Sequence, residues 1–120
     1  MSLSRLAATL ASLGIILGAL GAHGAVHDRL VSRQSLGTWE TAVLYHLIHA
    51  VALWTMAGHS GPRAPAAAWL WVAGILLFSG SLYVLSVTRA PALGPITPLG
   101  GVAFIAGWLW LAVRPMATTS

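Results

Sequence analysis

An all-α integral membrane protein, built as a four-helix transmembrane bundle, is the fold class these 120 residues predict, and three observations carry it. Hydrophobic residues make up 58% of the chain and charged residues 7%, where a soluble domain is roughly a quarter charged. Mean hydropathy is +0.83. Four apolar stretches, each near the ~20 residues that cross a bilayer, are separated by short segments rich in Gly, Pro and Arg. Four such helices use about 80 residues and leave about 40 for connections and tails. Residues 1–120 are therefore read as a single transmembrane domain with no room for a soluble catalytic unit.

The first helix is expected over 6–24. Arg5, the apolar run to Leu20 and the small residues that follow resemble a secretory signal. We read them instead as the first spanning helix. Gly14, Gly18 and Gly21 fall at i, i+4 and i+7, a stripe that lets another backbone approach closely in lipid. The polar segment 27–37, with Asp28, Arg29, Arg33 and Gln34, reads as a loop across the membrane from Met1. The second helix is expected over 38–57, with Thr38 as N-cap and Glu40 in the first turn, where a carboxylate suits the helix dipole. A turn-rich loop at 58–65 leads to the third helix, 66–87. The segment 88–96 reads as a loop with Arg89, Pro91, Gly94 and Pro95. The fourth helix is expected over 98–113, with Thr97 as N-cap and Pro98 at the first helical position, where a missing N–H is harmless. Gly100, Ala103 and Gly107 give it a small-residue face. The tail from Arg114 to Ser120 is polar.

The formal charge of +4 comes from six arginines, with no lysine. They lie singly: Arg5, Arg63 and Arg114 toward the face with the termini, Arg29, Arg33 and Arg89 toward the other. This even split leaves orientation open. Arginines beside apolar spans anchor to lipid headgroups, and without a basic patch or aromatic platform nucleic acid is excluded as a partner. The chain has no cysteine, so disulfides, thiolate metal sites and c-type haem attachment are excluded. Trp54, Trp69, Trp71, Trp108 and Trp110 map to the terminal face and Trp39 to the other, as an interfacial belt would place them.

The ionisable and hydroxyl groups gather in the half of the membrane away from the termini. His23, Glu40, Tyr45, His46, His49, Ser79, Tyr83, Ser86 and Thr97 all map there. Tyr45, His46 and His49 lie about 10 to 17 Å along their helix from Thr38. Tyr45 and His49 share a stripe, with His46 at its flank, and Ser79, Tyr83 and Ser86 share another on the third helix. Polar groups in hydrocarbon need partners, so both stripes should face the bundle interior and form a polar pocket. Each residue also has a structural reading: Glu40 completing a helix dipole, and the histidines bonding across helices to fix register. The pairs His23-x3-His27 and His46-x2-His49 have one-face spacing, so His23, His27, His46 and His49 are the candidates for a metal or haem site. No serine sits on a recognisable nucleophile turn. The segments GIILGALGAHG and GILLFSGSLY are loosely alike, too briefly to define a repeat.

GALGAHG at 18–24, TWETAVLYHLIHA at 38–50, GILLFSGSLYVL at 74–85 and GPITPLGG at 94–101 together resemble the YgdD/YwdK-like family of small membrane proteins. The resemblance runs over nearly all of 5–113, with looser fit at 58–65 and 88–93. It implies a four-helix integral membrane protein of unknown function, with no assigned catalytic or binding residues. The expectation is a non-catalytic, cofactor-free protein of the bacterial plasma membrane (inner mitochondrial membrane if eukaryotic). Its partners are membrane lipids and either itself or a larger membrane complex, met through the glycine faces. A solute or proton pathway through the His/Glu/Tyr pocket stands as the alternative, and haem or metal binding as a second.

Overall fold

The structure, a computed structural model, describes residues 2–59, 65–88 and 90–115. Helix α1 (Leu3–Ala22) is followed by a short helix α2 (Gly24–Ser32), and then by α3 (Leu36–His59). Helix α4 runs Ala66–Thr88 and α5 Ile96–Val113, joined through a single 3₁₀ turn at Pro91–Leu93. Four stretches are long and apolar enough to cross a membrane, of 20, 24, 23 and 23 residues, the last counted from Pro91. The four predicted spans are all present.

Their ends differ from the sequence expectation at several points. Segment 27–37 is not a loop throughout, because α2 occupies Gly24–Ser32. It forms because Val26 and Leu30, four residues apart, give it one apolar side, and Leu30 is fully buried. The chain turns into α2 at His23, which is extended, and at Gly24, whose φ of 75° suits a residue without a Cβ. It leaves through Gln34 at φ 57°. Helix α3 begins at Leu36, so Thr38 is inside the helix rather than its N-cap, and Glu40 lies beyond the first turn. Helix α5 begins at Ile96 after Pro95, so Thr97 is not a cap either. Arg63, Arg89 and the tail from Met116 lie outside the described residues.

The helix backbones approach one another in series. Helix α1 lies against α3, α3 against α4, and α4 against α5; α3 and α5 meet through side chains, and α1 and α5 do not come together among the described residues. Helix α1 buries Ala7, Gly14 and Gly21. A seven-residue repeat keeps one seam toward an antiparallel partner. The glycines are consumed within the chain. A Cβ on Gly14 would strike Leu47, one on Gly18 would crowd Val43, and one on Gly21 would strike Trp39. On the other hairpin a Cβ on Gly100 would meet the Phe78 backbone, and one on Gly107 the Trp71 indole. The core is Ala7, Leu53, Met56, Ala67, Ala68, Trp71, Ile75 and Phe104. Trp71, in that core, and Trp39, packed on Gly21, are both buried and not part of a surface belt. Trp54, Trp69, Trp108 and Trp110 are exposed.

Candidate functional site

The polar groups are joined mainly to backbone carbonyls of neighbouring helices. Trp39 Nε1–H donates to the Leu17 carbonyl at 2.8 Å, and His46 Nε2–H to the Leu10 carbonyl at 2.8 Å. Both pairs are seven residues apart on both helices, so they fix the antiparallel register of α1 and α3 at two points. A helical carbonyl at i points toward the amide of i+4, so a side chain at i+4 lies over it. Four residues beyond Leu10 and Leu17 stand Gly14 and Gly21. Their bare Cα positions leave each carbonyl open to a second donor.

Because Nε2 of His46 must donate to a carbonyl, its Nδ1 accepts the Tyr83 hydroxyl proton, at 2.8 Å. The ring also meets Tyr83 edge-on at 5.9 Å, and Tyr83 meets Trp39 at 4.8 Å. His49 has the opposite tautomer. Its Nδ1–H donates to the Tyr45 carbonyl at 2.8 Å, and its Nε2 accepts from Trp108 Nε1–H at 3.0 Å. An indole N–H can only donate, so the His49 ring in this arrangement is neutral. It stacks on Phe104 at 3.8 Å and meets Trp71 edge-on at 5.9 Å. The buried Trp71 Nε1–H has no hydrogen-bond partner among the described residues.

Helix α4 contains a π turn over Ile75–Ser79, which the sequence reading did not foresee. Such a turn adds one residue to a helix and breaks its regular ladder locally. Here Ser79, fully buried, donates to the Ala42 carbonyl of α3 at 2.8 Å. One residue earlier the Phe78 backbone rests on Gly100. Just beyond it, Ser81 donates to the Phe78 carbonyl at 3.0 Å and takes the Thr97 hydroxyl proton. The π turn thus ties α4 to α3 on one side and to α5 on the other.

Ser86 is buried and donates back to Leu82, while its own carbonyl receives two groups from the α2 region, Ser35 Oγ at 2.6 Å and Arg33 Nε at 3.2 Å. Arg29 reaches the Val87 carbonyl at 3.4 Å. These are among the last carbonyls of α4, which have no partner within the helix, and guanidinium groups there also suit the dipole. Arg29 and Arg33 were expected at lipid headgroups and instead close a helix end. Sequence reasoning missed this set, since nothing in the order of residues marks a carbonyl as an acceptor.

The residues predicted as one pocket form two neighbouring clusters and some outliers. His46 and Tyr83 pair around Trp39, and His49 joins Tyr45, Phe104, Trp71 and Trp108. Ser79, Ser86 and Thr97 bond elsewhere. His23 is exposed at the α1–α2 break, and His27 donates through Nδ1 to the Gly21 carbonyl at 2.8 Å. Among the described residues no group of three or more His, Asp or Glu is placed to hold a metal. Glu40 is exposed and lines a groove between α1 and α3 with Gly18, Gly21, Ala22, Trp39, Val43, Leu44, Leu47 and Ile48.

The sequence that folds into this arrangement matches a family of unknown function. The model of the family described as "Protein of unknown function (DUF423)" matches residues 17–101. The chain belongs to that family. It is 46% identical over 108 residues to the UPF0382 membrane protein YwdK of Bacillus subtilis, covering 86% of each chain. It is 42% identical over 106 residues to a UPF0382 membrane protein of Staphylococcus aureus, covering 86% of this chain and 85% of the other. A Staphylococcus epidermidis UPF0382 membrane protein is 41% identical over 109 residues, covering 88% of each. No solved structure matches. This member of the family is a multi-pass membrane protein, all-helical with four spans, and the YwdK-like resemblance read from its motifs is correct. The family match takes in α2, the π turn, His46, His49 and Tyr83, and stops at the Gly100–Gly101 contact with Phe78, short of Phe104 and Trp108.

Proposed function

We propose that this protein is a non-catalytic component of the bacterial plasma membrane that packs with itself or with a larger membrane complex. One observation carries the first half of that reading. Both ring nitrogens of His46 and of His49 are already bonded inside the fold. Ionisable groups within a membrane mark substrate paths and proton relays when they line a water-filled way or bind a ligand. Here they connect helices, and a proton path or an axial haem ligand would need a nitrogen that the fold has taken. The bacterial relatives support the plasma membrane as the compartment.

Support for association comes from the outer spans. The glycine faces first suggested it, but they serve contacts within the chain. What remains is the serial arrangement. Helix α1 and helix α5 each bury one narrow ridge, Ala7, Gly14 and Gly21 on the first and Gly100, Phe104 and Gly107 on the last. Their broad outer faces are left to lipid or to another protein. Native mass spectrometry of full-length protein, released gently from its own membranes, tests this. The expected species is larger than a protomer, with identifiable subunits. A bare protomer, confirmed by cross-linking in intact membranes, refutes the association.

A further inference from the structure

The groove beside Glu40 has the form of a lipid site, and we infer that it holds one chain of a membrane lipid whose head carries a primary ammonium group. Its volume is about 330 Å³. Its floor is supplied by Gly18, Gly21 and Ala22 of α1, where side chains are absent or small, and its wall by α3. The lining runs from Glu40 to Ile48, roughly 12 Å along the helix at its usual rise. Everything below Glu40 is apolar. At the upper end stands a carboxylate without an ion pair or hydrogen bond among the described residues, on an exposed side chain.

Depth matches that reading. Helix α3 has 24 residues, about 36 Å at 1.5 Å per residue, against a hydrocarbon core of about 30 Å. Glu40 is four residues from its start, so its carboxylate sits close to the boundary between hydrocarbon and headgroups. A chain in the groove would therefore place its head beside Glu40. A lone anion there disfavours heads of net negative charge, such as glycerol-phosphate, and favours a head whose phosphate is balanced by a cation. A carboxylate accepts hydrogen bonds, so a primary ammonium with three donors suits it better than a quaternary one with none. Apolar lining with a single placed polar group is the usual composition of a small-molecule site.

The inference stands apart from any association between subunits. Full-length protein in mixed micelles of phosphatidylethanolamine, phosphatidylcholine and phosphatidylglycerol, analysed by native mass spectrometry, tests it. The wild type should retain phosphatidylethanolamine roughly tenfold better than either other lipid, as a charge-assisted hydrogen bond allows. Glu40→Gln should bring the three to parity, and its exposure leaves the fold intact. Leu44→Trp, on the exposed wall, should lower retention of all three. Equal retention of the three lipids by the wild type overturns the inference. So does an unchanged preference in Glu40→Gln, or a homodimer in which the groove is sealed and no lipid is kept.

Discussion

Trp108 can only donate its indole proton, so the His49 nitrogen that receives it is bare, and the other nitrogen must carry the hydrogen that reaches Tyr45. His46 takes the reverse tautomer because its Nε2 faces a carbonyl and its Nδ1 a hydroxyl. Two histidines three residues apart thus differ by their neighbours alone. Hydrogen bonds between helices in lipid contribute about 0.6 kcal/mol on average and up to about 1.7. A double-mutant cycle on His46→Phe and Tyr83→Phe, followed by reversible unfolding in mixed micelles, should give a coupling of about 0.5–1.7 kcal/mol. The same cycle between Tyr83 and His49 should give close to zero, because they belong to different clusters. If His46 and Tyr83 prove uncoupled, the assigned bond is not present in the folded protein. The histidines, Tyr83 and the serines were legible in the sequence as polar groups in need of partners. Their pairing was not, because Leu10, Leu17, Ala42 and Tyr45 enter through carbonyls that every residue possesses.

Helix α4 depends on Gly100 at its π turn. The Phe78 backbone occupies the place where a side chain on Gly100 would stand, and backbone cannot move aside as a flexible side chain can. Gly100→Val should therefore separate α5 from the turn and cost roughly 1–3 kcal/mol, the usual cost of overpacking. Gly37 is the control, since nothing lies within 4 Å of a Cβ placed there and it is helical. Gly37→Ala should be neutral or stabilising by up to about 1 kcal/mol. Thermal unfolding in detergent reads both, and equal effects would show that the α4–α5 approach is looser than described. The sequence marked Gly100 as a packing position but could not say against what. A π turn has no residue signature, and it appears here where Ser79, Phe78 and Ser81 each meet a different neighbour.

The protein as assembled is two hairpins side by side, with α1 and α5 at the outside. Its lack of cysteine makes that order directly measurable. Gly18→Cys with Val43→Cys should cross-link within a single chain on mild oxidation, because those positions face each other across α1 and α3. Ile15→Cys with Ile105→Cys should not, since both residues are exposed on helices that do not meet. A cross-link of that second pair within one chain would mean that the four spans close into a ring. A cross-link between chains would agree with the proposed association.

Composition and the spacing of apolar runs determined the number of spans and their order along the chain. Those properties depend on transfer of side chains between water and lipid, which is additive along a chain. The four motifs determined the family. Tertiary structure alone decided that α2 and its arginines close the end of α4, that the glycines serve contacts within the chain, and that Glu40 stands open beside a groove. Each of these depends on which backbone lies opposite a given residue, and that is fixed only when the helices pack.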